Sequence, residues 1–180
     1  MNQTNRTHQL PGKRPAQRLV GAALIAALYA AATYASAAAG LAYGGVQFRF
    51  SEALTILPVF TPYAIPGLTI GCLLGNLASP LGLADILCGT AASLIAACLT
   101  RLLRNIKPGG IPWLACLPPV LVNALIVGAE LALLTAPSGG FWPAFGLFAL
   151  QVGAGQLVCC CGLGIPLYLL LRKTGAARYL

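Results

Sequence analysis

The residues best suited to chemistry in this sequence are its carboxylates, of which there are few. Of 180 residues only three are Asp or Glu, namely Glu52, Asp85 and Glu130. Each lies within or beside a long apolar run. Carboxylates held among apolar residues usually face a cavity or a partner. Together with nearby amides, they are suited to recognising an uncharged or cationic ring that carries several hydrogen-bond donors.

The side chains that accompany the carboxylates are mostly amides. Glu130 and Asn123 are seven residues apart, so a helix places them on one face, as the lining of a pocket requires. For Glu52 and Asp85 a second interpretation stays open, in which they lie in the headgroup region and Glu52 pairs with Arg49. The candidate substrate-binding residues are Gln47, Arg49, Glu52, Asn76, Asp85, Asn123, Glu130 and Gln151.

Enzymatic chemistry is not expected from this sequence. It contains neither a G-x-x-x-x-G-K-[ST] phosphate loop nor H-E-x-x-H, and its single histidine, His8, lies in a polar tail. The seven cysteines show no C-x-x-C spacing, which favours a role as small hydrophobic residues over a metal site. No cofactor is expected. Nucleic acid is not an expected partner either, because no aromatic-basic stripe accompanies the positive charge.

The composition predicts an all-α integral membrane protein. Hydrophobic residues make up 58% of the chain and charged residues 8%, and the mean hydropathy is +0.83. Soluble domains carry roughly 25% charged residues. In lipid the backbone must satisfy its own hydrogen bonds, which a helix does within one segment. The apolar runs lack the alternation of barrel strands, so a helical bundle in the lipid bilayer is expected.

We predict six membrane-spanning helices in this bundle. Pro58, Pro62 and Pro66 interrupt the second and third of them, so one long, broken span is a competing interpretation of that region. The last span is long enough to tilt, or to bend at its glycines and Pro166. The predicted spans are approximately 19–44, 51–64, 66–80, 85–103, 113–134 and 142–171.

The positive charges predict the orientation of these spans. The net charge is +8, and apart from Arg49 the bases form three clusters beside apolar runs, near residues 6–18, 101–107 and 172–178. Because Lys and Arg are retained in the cytoplasm, six crossings place all three clusters there. Residues 1–17 and 174–180 are then cytoplasmic tails flanking a membrane domain at 18–173. Cleavage of the first span as a signal peptide stays an open alternative.

With this orientation the acids and amides gather in the outer half of the bundle, which predicts a solute pocket that opens outward. A second feature concerns association. Ala22, Ala26 and Ala30 recur at a spacing of four in the first span, and small residues at this spacing let helices approach closely. They form either a partner-docking strip or an internal packing face.

Three stretches of the sequence resemble one transporter family. V-Q-F-R-F-S-E-A-L-T-I-L-P at 46–58, A-I-P-G-L-T-I-G-C-L-L-G-N-L at 64–77 and D-I-L-C-G-T at 85–90 are similar to the queuosine-precursor (QueT-type) substrate-binding components of energy-coupling factor (ECF) transporters. The resemblance covers about residues 19–172. The polar insert between two spans is its most specific part.

The resemblance implies a six-helix substrate-binding (S) component in a bacterial inner membrane, partnered by a transmembrane coupling protein and two ATPase subunits. It implies uptake of a 7-deazaguanine such as 7-aminomethyl-7-deazaguanine, with Gln47, Arg49 and Glu52 matching the loop over the solute. It also implies that Ala22, Ala26 and Ala30 dock on the coupling protein. An S component for another vitamin or nucleobase, or a membrane scaffold without transport, is the alternative.

Overall fold

The computed structural model describes residues 15–43, 46–135 and 140–179, and the regular structure in these ranges is helical. The main elements are α1 (Pro15–Ala38), a 3₁₀ helix (Phe50–Val59), α2 (Ala64–Asn76), α3 (Leu83–Leu102), α4 (Leu117–Thr135), α5 (Phe141–Gln156), a π-helical segment (Leu157–Leu163) and α6 (Gly164–Lys173). Short 3₁₀ turns lie at Leu103–Asn105, Pro108–Gly110, Trp113–Cys116 and Ala176–Tyr179.

The helices at both ends of the chain differ slightly from the predicted spans. α1 begins at Pro15, where the fixed φ of proline suits the first helical turn, so residues 15–17 of the predicted tail are helical. Residues 1–14 lie outside the described ranges. The last apolar run forms one helical stretch, Phe141–Lys173. It contains a π segment before Pro166, which has no N–H to donate to the preceding turn.

Within the described ranges, four helical stretches are long and apolar enough to cross a membrane: Pro15–Ala38, Leu83–Asn105, Trp113–Thr135 and Phe141–Lys173. Their outward faces carry exposed leucines, of which Leu19, Leu133 and Leu150 are each more than 70% exposed. Apolar side chains on the outside of a helical bundle are suited to lipid contact. The protein is therefore a multi-pass, all-α membrane protein.

The predicted second and third spans are two short helices, Phe50–Val59 and Ala64–Asn76. A ten-residue 3₁₀ helix and a thirteen-residue α-helix are each about 20 Å long, whereas the hydrocarbon core of a bilayer is about 30 Å thick. Four of the six predicted spans thus have the expected length. The count of six crossings stays a prediction.

The two short helices form a hairpin rather than one broken span. The backbone N–H of Phe50 donates to Ser36 Oγ near the end of α1. At the other end of the 3₁₀ helix, Arg101 Nη1 donates to the Pro58 carbonyl at 2.9 Å. α2 then brings the chain back, because Asn76 contacts Arg49 directly. The chain thus leaves one end of the bundle and returns to it, which excludes the interpretation as a single broken span.

Close packing of α1 against α2 fixes this hairpin. Gly67, Gly71 and Gly75 recur at a spacing of four on α2 and face α1. A Cβ at Gly71 would lie 2.7 Å from Tyr29 Cβ and 2.9 Å from the Ala26 carbonyl. Small residues at this spacing let two helix backbones approach closely. The contact holds the last residue of α2 beside the loop that follows α1.

The two ends of the bundle differ in their charged residues. Arg101 lies at the C-terminal end of α3, and Arg172, at the end of α6, donates to the Gly110 carbonyl. Arg104, Lys107 and Lys173 belong to these same helix ends and turns. We call this the basic end. The opposite end, which we call the polar end, holds the contacts among Arg49, Asn76 and Asp85.

Candidate functional site

Arg49 is the centre of the polar end. It lies in extended backbone just before the 3₁₀ helix, and its side chain is 5% exposed. Nε donates to the Ala42 carbonyl at 3.0 Å and Nη1 to Asn76 Oδ1 at 2.9 Å. Nη2 lies 3.6 Å from Asp85 Oδ2. The guanidinium thus ties the loop after α1 to the ends of two other helices.

Asn76 and Asp85 form the far side of this link. The Asn76 amide nitrogen donates to the backbone carbonyl of Asp85 at 2.9 Å, while its oxygen accepts from Arg49. A Cβ at Gly89 would lie only 2.3 Å from the same nitrogen. The absence of a side chain at this position of α3 therefore leaves room for the Asn76 amide. Both residues are buried. The alternative in which Glu52 pairs with Arg49 is not the arrangement found, since the salt bridge of Arg49 within the described residues goes to Asp85.

Tyr43 covers the other side of the guanidinium. The Arg49 Cζ lies 5.2 Å from the centroid of its ring, within cation–π range. Its hydroxyl donates to the Gly75 carbonyl at 2.6 Å. Burial raises the pKa of the Tyr43 phenol, so the hydroxyl remains a neutral donor at physiological pH. Tyr43 and Arg49 thereby connect the segment after α1 to the C-terminal end of α2 at two points, Gly75 and Asn76.

Glu52 is held by a residue that the sequence analysis missed. The Tyr29 hydroxyl donates to Glu52 Oε1 at 2.5 Å, and both side chains are buried. Glu52 Oε2 has no hydrogen-bond partner. Tyr29, Thr33 and Ser36 follow one another at helical spacing and are all buried, so α1 has a polar face. That spacing is the signal that would have identified Tyr29.

Glu130 is the third buried carboxylate. It lies in α4 and is 4% exposed, and neither of its carboxylate oxygens has a hydrogen-bond partner. Its neighbours on α4, Val127 and Leu131, pack in a small apolar cluster with Val152 of α5, and Leu81, four residues before Asp85, packs against that cluster. The carboxylate is therefore part of the polar end and is surrounded by apolar packing.

The segment around Gln47 closes the site against α5. Gln47 is 3% exposed, and a Cβ at Gly155 would lie 2.2 Å from its backbone oxygen. One residue further on, Gln156 is also buried, and its Oε1 accepts from Cys160 Sγ at 3.1 Å. Gln156 was not among the candidate residues, although a buried amide in an apolar helix is the same signal that selected Asn123.

The predicted site residues therefore divide into two groups. Arg49, Asn76 and Asp85 are in direct contact and form the first group. Gln47, Glu52 and Glu130 are buried, but among the described residues no hydrogen bond or ion pair joins them to these three. Asn123 is buried on α4, but its amide nitrogen donates to the Pro119 carbonyl of its own helix. Gln151 is half-buried on α5. Within the described ranges, no hydrogen bond or ion pair joins either of them to the first group.

Two of the three predicted docking alanines, Ala22 and Ala26, face glycines of α2. Ala26 and Ala30 are buried, and Ala22 is half-buried. The exposed row is the neighbouring one, with Ala23 and Ala27. Both rows meet in an apolar groove of about 550 Å³ on the outside of the bundle. The groove is lined by Arg18, Leu19, Ala22, Ala23, Ala26, Ala27, Tyr63, Pro66, Ile70 and Leu74.

Comparison with known families decides the class of this protein. The sequence matches the family description "QueT transporter" over residues 19–173, which is nearly the whole chain. The chain belongs to the QueT transporter family. This confirms the resemblance seen in the three sequence stretches, and it assigns the protein to a transporter family rather than to an enzyme family. No curated protein and no solved structure gave a significant match.

Within this QueT-family protein, the Tyr29–Glu52 contact can be tested by stability. We expect Tyr29→Phe to lower the free energy of unfolding by about 1–3 kcal/mol, because it leaves both oxygens of a buried carboxylate unpaired. The matched control is Tyr34→Phe. Tyr34 also donates through its hydroxyl, but it is 41% exposed and its acceptor is the neutral Leu74 carbonyl, so its loss leaves no buried carboxylate unpaired.

Denaturant unfolding in detergent micelles measures both variants. Equal losses of stability for Tyr29→Phe and Tyr34→Phe would contradict the assignment of a special role to the buried contact.

Proposed function

We propose that this protein is the substrate-binding S component of an ECF-type importer and captures a 7-deazaguanine precursor of queuosine on the outer face of a bacterial cell membrane. The observation that supports this most is the buried polar end. Carboxylate oxygens of Glu52, Asp85 and Glu130 lie there without hydrogen-bond partners, in a protein of a transporter family. Unsatisfied buried carboxylates are costly, so they are retained where a ligand supplies the missing donors.

The distribution of charge supports the proposed orientation. The basic end carries the arginines and lysines of the 101–107 and 172–173 segments, and positive residues are retained on the cytoplasmic side. The polar end then faces outward. Because the 49–76 hairpin leaves the polar end and returns to it, the proposed topology has six crossings, with both termini in the cytoplasm.

The chemistry of a guanine-like ring matches the polar end. Such a ring presents an N–H and an exocyclic amino group side by side, and a carboxylate accepts from donors arranged in this way. Glu52 is the candidate acceptor, since Tyr29 occupies one of its oxygens and Oε2 remains available. Gln47 and Gln156 offer amide donors and acceptors for the carbonyl and ring nitrogens of the solute.

Energy for uptake must come from other subunits in this proposal, because the sequence has no phosphate-binding loop. The proposed partners are a transmembrane coupling protein and two ATPase subunits. The groove between α1 and α2 is the proposed docking surface, since its floor is apolar and built from alanines. Ala22 and Ala26 line this groove, whereas Ala30 is buried and does not line it.

Ligand binding to the purified protein tests the proposal. We expect isothermal titration calorimetry in detergent to show binding of 7-aminomethyl-7-deazaguanine at least about tenfold tighter than binding of guanine. Glu52→Gln should weaken binding by about 10–100-fold, because a charge-assisted hydrogen bond contributes about 1.5–3 kcal/mol. The control is Asn123→Ala, whose amide is bonded to its own helix and should have a small effect.

Two outcomes would reject parts of this proposal. Equal affinity for 7-aminomethyl-7-deazaguanine and guanine would reject the substrate. Absence of binding to both compounds, in a protein that unfolds cooperatively, would favour a different solute or a scaffold role. Co-purification from the native membrane tests the partners separately, since the coupling protein and ATPases should accompany the wild-type chain.

A further inference from the structure

The carboxylates buried at the polar end lack hydrogen-bond donors. Glu52, Asp85 and Glu130 are all buried, and among the described residues Arg49 forms a salt bridge with one of them, Asp85. The other bases of the described ranges lie at the basic end or, like Arg18, near the start of α1. Buried carboxylate oxygens without donors are costly, so this arrangement calls for a group that supplies donors.

Arg49 does not satisfy these oxygens. Nε is bonded to the Ala42 carbonyl and Nη1 to Asn76, and Nη2 lies 3.6 Å from Asp85 Oδ2 without a hydrogen bond. Glu130 lies on α4 beside the start of α3, since Leu81 packs against the cluster that its neighbours Val127 and Leu131 form, and neither of its oxygens has a hydrogen-bond partner. The buried oxygens without donors are therefore concentrated at Asp85 and Glu130, on α3 and α4.

The two sets of carboxylates differ in a way that separates their ligands. Glu52 has one oxygen bonded to Tyr29 and one available oxygen. Asp85 and Glu130 together have four carboxylate oxygens, and none of the four has a hydrogen-bond partner. An ammonium group carries three donors and one full charge, so it satisfies several such oxygens at once. A neutral ring edge supplies donors without charge and is matched by Glu52.

We propose that Asp85 and Glu130 form a cation subsite that binds a primary ammonium group of the transported solute, separate from the ring-binding position at Glu52. This inference rests on the proposed function and deepens it, because it assigns the positive charge of the solute to two named carboxylates. The subsite lies on α3 and α4, whereas the ring position lies on the 3₁₀ helix and α1.

A pair of ligands of equal size tests the subsite. The first is 7-aminomethyl-7-deazaguanine, and the second is 7-ethyl-7-deazaguanine, in which a methyl group replaces the ammonium group. For the wild-type protein we expect calorimetry to show about 10–100-fold tighter binding of the amine, as for a charge-assisted contact. Glu130→Gln should remove most of this preference by weakening amine binding, with a change of less than about threefold for the ethyl compound.

Two further variants serve as controls. Glu130→Asp keeps the charge and should retain part of the preference for the amine. Glu52→Gln should weaken binding of both ligands by a similar factor, because the ring is common to them. Binding of the ethyl compound to Glu130→Gln also shows that this variant is folded.

The outcomes separate failure of the subsite from failure of the proposed function. If neither compound binds to the wild-type protein, the proposed function is wrong and the subsite falls with it. If both bind with equal affinity, or if Glu130→Gln weakens both equally, the function stands and the cation subsite is rejected. A third outcome concerns an inorganic cation. If the ethyl compound binds more tightly in sodium chloride than in choline chloride, and if Glu130→Gln abolishes this difference, the subsite binds sodium. The ammonium assignment is then rejected.

Discussion

Replacing Arg49 by Met is expected to destabilise the protein by about 3–5 kcal/mol, which is a large part of the stability of a typical domain. The substitution keeps most of the side-chain volume and removes the guanidinium. It leaves Asp85 as a buried charge without its partner and leaves the Ala42 carbonyl and the Asn76 oxygen without donors. The loop after α1 also loses its link to α2 and α3.

A double-mutant cycle distinguishes the charge from the packing in this effect. Asp85→Asn alone removes the charge that Arg49 balances, and it should cost less than Arg49→Met because the amide remains polar and neutral. In the double variant both the guanidinium charge of Arg49 and the carboxylate charge of Asp85 are absent. We expect it to be at least about 1–3 kcal/mol more stable than the sum of the two single losses predicts.

Denaturant titration in mixed micelles, followed by circular dichroism, gives the four free energies of the cycle. Simple additivity would show that Arg49 and Asp85 do not interact energetically, and the role of Arg49 as the centre of the polar end would then be wrong.

The features predicted well from the sequence are those that depend on composition and length. Long runs such as 85–103 and 113–134 form helices at nearly the predicted residues, because a bilayer requires about 20 apolar residues in a continuous helix. The separation of bases from acids also follows from the positions of a few charges. Since only three acids exist, their location along the predicted spans nearly determines which end of the bundle is polar.

The partners of each charge could not be predicted, because they depend on contacts between distant segments. Arg49 is three residues from Glu52, yet the backbone between them turns into the 3₁₀ helix and directs the guanidinium to Asp85. The length of the 3₁₀ helix was itself unexpected, as such helices are usually short. Tyr29 was not predicted because it lies among alanines, whose spacing indicates small-residue packing, although it belongs to the polar face of the same helix.

The close approach of Gly155 to Gln47 gives the last prediction. A Cβ at position 155 would lie 2.2 Å from the backbone oxygen of Gln47 and 3.1 Å from its carbonyl carbon. Backbone atoms cannot rotate away as a flexible side chain can, so Gly155→Ala must move the 46–49 segment away from α5 by roughly 1 Å to restore van der Waals separation. That segment carries Arg49.

We therefore expect Gly155→Ala to lower the free energy of unfolding by about 1–3 kcal/mol and to weaken binding of 7-aminomethyl-7-deazaguanine at least about tenfold. Gly153→Ala is the matched control on the same helix, because its Cβ would meet Ala124 Cβ at an ordinary 3.4 Å. It should change stability by no more than about 0.5 kcal/mol. Denaturant unfolding and calorimetry check both variants. Equal effects at the two positions would mean that the contact of α5 with the loop does not shape the site.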